Sequence, residues 1–108
     1  MSESTDPDIA WPRILDALAA RNMKDAKKLI WPPGAPEDWY YAMAPMMEMR
    51  AGDYEKSDRE LAIFCYQQAR DLYRAQASGA TSGGEGLALM NEDRDHELSR
   101  KIWLLQSQ

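Results

Sequence analysis

The sequence predicts an all-α fold, a compact helical bundle or helical-hairpin stack of about five helices. Apolar residues recur at spacings of three and four in several segments, which is the period of an amphipathic helix. No segment shows sustained alternation of apolar and polar residues, and the chain contains few Val, Ile or Thr, the types that favour strands. Proline and glycine separate the periodic segments, as is typical of helix ends.

The first two predicted helices are short. Residues 1–8 are acidic and polar, so we expect a disordered tail with little to bury. Pro12 suits the first turn of a helix, where its missing N–H costs nothing. Asn22 is expected to cap a second helix, with Asp25 three residues on as its capping partner. Their apolar stripes comprise Ile14, Leu15, Leu18 and Ala19, and then Ala26, Leu29 and Ile30.

The third predicted helix has a clear start. Pro36 suits the first helical position, and the acidic pair Glu37 and Asp38 favours the positive end of the helix dipole. Pro45 removes a backbone hydrogen bond, so we expect it to bend or split this helix. Gly52 is a natural stop. The predicted stripe comprises Trp39, Met43, Met46 and Arg50.

The fourth predicted helix opens on a capping box formed by Ser57 and Glu60 and runs to about Ala77. Ile63 and Phe64 lie outside its main stripe, and a helix that is apolar on more than one side is usually central in its domain. The stripe comprises Leu61, Cys65, Ala69 and Leu72, flanked by Ala62, Tyr66 and Tyr73.

The sequence of the last part of the chain predicts a loop followed by a helix. Residues 78–86 are rich in Gly and Ser and predict a flexible loop within one helical domain at 9–108. A helix from about Leu87 to Leu105 follows, and Trp103 and Leu104 point away from its apolar stripe. That stripe comprises Leu87, Met90, Leu98, Ile102 and Leu105.

Length and charge narrow the class of protein. The chain has 108 residues, a formal net charge of -5 and one Cys, which describes a single domain without an internal disulfide. No apolar run approaches the roughly 20 residues of a membrane span, and the acidic N-terminus is unlike a signal peptide. The acidic balance argues against direct nucleic-acid binding. We therefore expect a cytoplasmic protein without membrane or nucleic-acid partners.

One segment resembles a known repeat. Trp39 stands where a tetratricopeptide repeat begins its first helix, and residues 52–56 resemble the turn between its two helices. Ala62 and Ala69, with Tyr66 between them, resemble the packing positions of its second helix. Residues 36–77 are thus similar to one partial tetratricopeptide hairpin. The resemblance implies peptide or protein binding on the first helix, at Tyr40, Ala44, Met47 and Glu48.

The sequence contains few residues that could serve in catalysis or in metal or phosphate binding. On a helix, Glu92 shares a face with His96, and Asp93 with Glu97, a spacing that can hold a metal but is more typical of a solvated face. Cys65 lies on an apolar stripe, where a thiol behaves as a small hydrophobe. The glycines of the predicted loop lack the lysine of a phosphate-binding loop. We therefore predict no enzyme, no cofactor and no metal site.

The leading functional hypothesis rests on crowding of large side chains. Met43, Met46, Met47 and Met49 cluster beside Trp39, Tyr40 and Tyr41, and one helix cannot hide them all on one side. We expect a non-enzymatic protein–protein interaction module, an adaptor or a self-associating protein. The predicted partner-binding residues are Trp39, Tyr40, Met43, Ala44, Met47 and Glu48. Residues 102–105 are also apolar on several sides of the predicted helix, so we expect them either to pack under the domain or to contact a partner.

A second hypothesis belongs to another class. The acidic N-terminus and the carboxylates near Asp93 suit a small acidic inhibitor or immunity-type protein, for example of phage type. Such a protein blocks the basic groove of a nucleic-acid-binding enzyme. Steep loss of inhibition with rising ionic strength would distinguish it from an apolar interaction module.

Overall fold

The computed structural model describes residues 6–79 and 84–107, with side chains at 6–76 and 92–107. These residues contain five α-helices and no strand, which confirms the all-α prediction. The helices are α1 (Pro7–Ala19), α2 (Met23–Ile30), α3 (Glu37–Tyr54), α4 (Arg59–Gly79) and α5 (Gly84–Gln106). Residues 80–83 of the predicted Gly/Ser loop lie outside the described residues.

Helix α1 begins earlier than predicted. The Asp6 side chain accepts a hydrogen bond from the backbone N–H of Asp8 at 3.0 Å and caps the helix, with Pro7 at its first position. Residues 7 and 8 are therefore helical, and only residues 1–5 of the predicted tail lie outside the described residues. Pro12 lies inside the helix rather than in its first turn. Pro12 is exposed, and so is Asp8, the residue four positions earlier whose carbonyl loses its N–H partner.

The turn between α1 and α2 is held by its backbone. The N–H groups of Arg21 and Asn22 donate to the carbonyls of Leu18 and Ala17 at 2.9 and 2.8 Å, a Schellman arrangement. Arg21 adopts a left-handed φ of 59°, a conformation usually left to Gly. The Asn22 side chain then accepts from the N–H of Asp25 at 3.2 Å, which confirms the predicted cap of α2.

Pro45 does not split the third helix, because α3 runs without interruption from Glu37 to Tyr54. The side chain of Pro45 is exposed, so the helix bears the missing hydrogen bond on its solvent side. Gly52 lies inside the helix and does not stop it. The prediction that α4 opens on Ser57 is also wrong, since Asp58 accepts from the N–H of Leu61 at 3.3 Å and caps it one residue later.

Helices α3 and α4 form an antiparallel hairpin. The Gln76 side chain donates to the carbonyl of Tyr40 at 2.9 Å, and Tyr73 donates to Glu48 at 3.1 Å further along. The hydrogen-bonded positions rise along α3 as they fall along α4, which defines the opposite directions. The resemblance to a tetratricopeptide hairpin requires such a pair, whereas membership of that repeat family stays a prediction.

Helix α5 returns along α4 in the opposite direction. Arg74 pairs with Asp95 near one end of the contact, and the Lys101 ammonium lies 5.4 Å from the ring centre of Tyr66 near the other. The main packing pairs are α1 with α2, α3 with α4, and α4 with α5. The Cα extents of 39 × 38 × 17 Å describe a thin body. Helix α4 is central because it packs on α2, α3 and α5, and α5 lies at an edge because it packs mainly on α4.

One core joins all five helices. The predicted stripe of α4 is buried as expected, and the described part of the α5 stripe, Leu98, Ile102 and Leu105, is buried too. The predicted stripe residues Leu87 and Met90 lie outside the described side chains. The buried core comprises Ala10, Ile14, Leu18, Ala26, Ile30, Trp39, Met43, Ala44, Met47, Ala51, Leu61, Ala62, Cys65, Tyr66, Ala69, Leu72, Leu98, Ile102 and Leu105.

Candidate interaction surface

Most of the predicted partner-binding residues lie inside the domain. Trp39, Met43, Ala44 and Met47 have no exposed area, so the prediction that they form a surface is wrong for these four. The indole Nε1 of Trp39 donates to the carbonyl of Ile30 at 2.9 Å, which fixes the ring between α2 and α3. The crowded residues are hidden because more than one neighbouring element covers this helix.

The two remaining predicted residues are half-buried and make contacts within the chain. The Tyr40 ring lies 6.1 Å from the Trp31 ring, centre to centre. Glu48 accepts from the Tyr73 hydroxyl at 3.1 Å and from Arg94 Nη1 at 3.2 Å, and so links α3 to α4 and α5. These side chains hold helices together, and the surface expected on α3 is reduced to Tyr41 and Met49, which lie eight residues apart.

Two exposed apolar side chains lie next to each other on the outer face of α5, near its C-terminal end. Trp103 is 64 % exposed and Leu104 is 45 % exposed, on the side of the helix opposite the buried Leu98 and Ile102. An exposed Trp is uncommon, because indole side chains usually bury most of their area. The sequence signal for this patch was the position of both residues outside the α5 stripe.

A depression opens on the same face of α5, toward its middle. Its volume is about 530 Å³, and it is lined by Asp93, Arg94, His96, Glu97 and Arg100. Arg94 Nη1 lies 3.1 Å from a Glu97 oxygen, so part of its charge is paired within the rim. The depression therefore offers carboxylates, guanidinium groups and one imidazole beside the exposed indole of Trp103.

The side of α5 that faces α4 is held by a charged cluster. Arg74 pairs with Asp95 through two nitrogens, one of them at 3.1 Å, and Ser99 donates to Asp95 at 3.2 Å. The hydrogen bond from Arg74 holds the pKa of Asp95 below its usual range. This cluster adds a polar contact between α4 and α5 beside the buried core.

The groups that could serve nucleophilic or metal chemistry are not brought together. Cys65 is fully buried in the core, and burial raises the pKa of its thiol to about 12. His96 is exposed on α5. Among the described residues, no group of three or more His, Cys, Asp or Glu side chains is placed to hold a metal ion.

A second, smaller depression of about 230 Å³ lies where α2 meets α4. It is lined by Met23, Glu60, Ile63, Phe64 and Gln67. Ile63 and Phe64, which the sequence placed outside the main α4 stripe, are partly buried here against the core. The depression is shallow packing space between helices and brings no set of reactive groups together.

Known proteins give no further indication of the function of this chain. No family model matches this chain, and no curated protein or solved structure shows significant similarity to it. Within the part of the chain that the structure describes, no helix has the length and apolar character needed to cross a bilayer.

Proposed function

We propose that this protein is a non-enzymatic protein–protein interaction module that binds through the outer face of α5. The observation that carries this proposal is the pair Trp103 and Leu104, exposed side by side on a helix whose opposite face is firmly packed. The sequence hypothesis placed the interaction on α3. The class of function is the one that the sequence predicts, and the surface that we propose lies at the C-terminal end of α5.

Three properties of this face suit binding of a protein. Trp is enriched among residues that dominate binding energy, because a rigid indole buries a large area at low entropic cost. The adjacent depression is rimmed by charged groups, which matches the apolar centre and polar rim of typical interfaces. The helix beneath is held in place by Asp95 and Glu48, so the surface is preorganised.

The acidic-inhibitor hypothesis receives less support from the same residues. It needs carboxylates that are free to meet a basic groove, and several near Asp93 are already paired within the chain. Asp95 pairs with Arg74, and both Glu97 and Glu48 pair with Arg94. Their charge is thus partly neutralised before any partner approaches.

Site-specific photocrosslinking tests the proposal. A photoreactive benzoyl-phenylalanine replaces Trp103 in one variant and Met49 in a control, since Met49 is 67 % exposed but lies on α3. We expect illumination in the cells that make the protein to give a discrete protein adduct from position 103, which Leu104→Glu abolishes. Mass spectrometry identifies the adduct. Equal adducts from both positions, or none from position 103, would overturn the proposal.

A further inference from the structure

We infer that α1 and α2 together form a lid, residues 7–30, that opens as one unit while α3, α4 and α5 stay folded. The lid rotates about Gly34 and is held shut by Arg21. This inference goes beyond the proposed function, since neither residue lies on α5. Four features support it: the division of the helix packing, the connector that follows α2, the contacts of the turn between α1 and α2, and the hydrogen bonds beneath the lid.

The packing of the helices divides the domain into two parts. Helix α1 packs chiefly on α2, whereas α4 packs along both α3 and α5. The lid touches the other part over short stretches, α1 on α3 and α2 on α4. Segments with few such contacts open at a lower free energy than the rest of a protein, often as whole helix pairs. The closed form predominates because the lid adds buried residues to the common core, namely Ala10, Ile14, Leu18, Ala26 and Ile30.

The connector between the lid and α3 concentrates rotation at one residue. Residues 31–36 have the sequence Trp-Pro-Pro-Gly-Ala-Pro. Proline fixes its own φ and restricts the residue before it, and these two effects cover every residue of the connector except Gly34. Gly34 has a left-handed φ of 72°, and a Cβ atom at this position would have no other atom within 4 Å. A change of direction between the lid and α3 therefore falls on Gly34.

The turn between α1 and α2 carries the latch. One terminal nitrogen of Arg21 pairs with Asp58 and the other with Glu60, both at the start of α4. The second oxygen of Asp58 accepts from the N–H of Leu61, so the residue that caps α4 also holds the lid. A glycine would suit the left-handed φ of 59° at position 21 better, but it would lose both ion pairs. Arg21 is about half exposed, so salt weakens these pairs.

Two indole groups make hydrogen bonds beneath the lid. Trp39 Nε1 on α3 donates to the carbonyl of Ile30, the last residue of α2, at 2.9 Å. Trp31 Nε1, directly after the lid, donates to Gln68 on α4 at 2.7 Å. Both bonds join the lid side to the other part of the domain, so both break when the lid opens. The buried N–H of Trp39 thus reports on the lid directly.

Native-state hydrogen exchange of the full chain, followed by NMR, tests the lid. We expect the amides of α1 and α2 to share one opening equilibrium, at least about tenfold more favourable than that of the slowest α4 amides. The indole N–H of Trp39 should exchange along with the amides of α2. Lid amides that are protected as strongly as the slowest amides of α4 overturn the inference, as do amides of α1 and α2 that open independently of each other.

Two matched variants test the latch. Arg21→Ala keeps the left-handed turn and removes contacts that exist only in the closed form, so exchange of the lid amides should rise about threefold to tenfold. Arg74→Ala removes the ion pair with Asp95 between α4 and α5, which stays intact when the lid opens. It should speed the slowest amides of α4 and leave the lid amides unchanged within about twofold. If both variants speed the lid amides equally, the domain opens only as a whole and the inference is wrong.

Salt tests the same contact without a change of the wild-type sequence. Raising NaCl from about 0.02 M to about 0.5 M should speed exchange of the lid amides in wild type. The same change should have little effect on these amides in Arg21→Ala, which lacks the ion pairs. An equal response of the two proteins would show that Arg21 is not the latch.

Gly34→Ala tests the hinge. The left-handed φ is unfavourable for alanine, and this cost is released on opening only if the chain rotates at this residue. We expect exchange of the lid amides to rise about threefold to tenfold. If the slowest amides of α4 become faster while the lid amides do not, the rotation lies elsewhere and the hinge assignment is wrong.

Discussion

The middle of α3 and the end of α5 contain similar side chains that differ in solvent exposure. Residues 39–49 carry a Trp, two Tyr and four Met, and residues 102–105 carry Ile, Trp and two Leu. In α3 the largest of these, Trp39, is completely buried, whereas Trp103 in α5 is about two-thirds exposed. Apolar composition alone therefore does not identify a binding surface in this protein.

Position in the body explains the difference. Helix α3 packs along α4 and is also contacted by α1 and by the end of α2, so a helix that is apolar all round finds cover on several sides. Helix α5 lies at an edge and packs mainly on α4, so only one of its sides is covered. An apolar residue on the uncovered side of an edge helix is the more informative sign of an interface.

The largest expected effect is on the α3 side of this comparison. Trp39→Ala removes a fully buried indole and its hydrogen bond to the carbonyl of Ile30, so we expect a loss of about 3–5 kcal/mol in the free energy of unfolding. Urea denaturation followed by circular dichroism measures it. A loss below about 1 kcal/mol would show that Trp39 is not part of the core. The contrast between a buried Trp39 in α3 and an exposed Trp103 in α5 would then be wrong.

A medium effect concerns the link between Glu48 and Tyr73. Burial and the neighbouring Glu48 raise the pKa of Tyr73 to about 12, from about 10 in an unfolded chain. The stability that comes from this neutral hydroxyl is present below pH 10 and is lost as the pH rises toward 12. Tyr73→Phe should therefore lower stability at pH 8 and make its fall between pH 10 and 12 shallower.

Tyr41→Phe is the control for that measurement, because Tyr41 is exposed and its hydrogen bond to Glu37 stays within one helix at the surface. Its unfolding curves should stay close to wild type at each pH. If Tyr73→Phe and Tyr41→Phe behave alike, the Tyr73 hydroxyl does not hold Glu48 in solution, and the link between α3 and α4 at this point is absent.

The smallest expected effect is on the α5 side. Trp103→Ala should change the free energy of unfolding by no more than about 0.5 kcal/mol, because the side chain is 64 % exposed in the folded chain. Urea denaturation followed by circular dichroism measures this change, as it does for Trp39→Ala. A loss above about 1.5 kcal/mol would show that Trp103 packs within the monomer.

The helical class and the local signals that depend on near neighbours could be predicted from the amino-acid sequence. The cap at Asn22 and the buried face of α4 were predictable because they rest on spacing within a few residues. The outward direction of Trp103 and Leu104 was visible for the same reason, since a helix with a defined stripe must point other residues away from it.

Which apolar residues are covered depends on how the helices pack against one another. The sequence cannot show that α2 reaches the Trp39 ring, that Glu48 meets Arg94 across 46 residues, or that the side of α3 carrying Pro45 faces solvent. Burial of a helix face depends on how many neighbours pack around it, and that number is set by long-range contacts rather than by local spacing. The same residue types therefore became core in α3 and surface in α5.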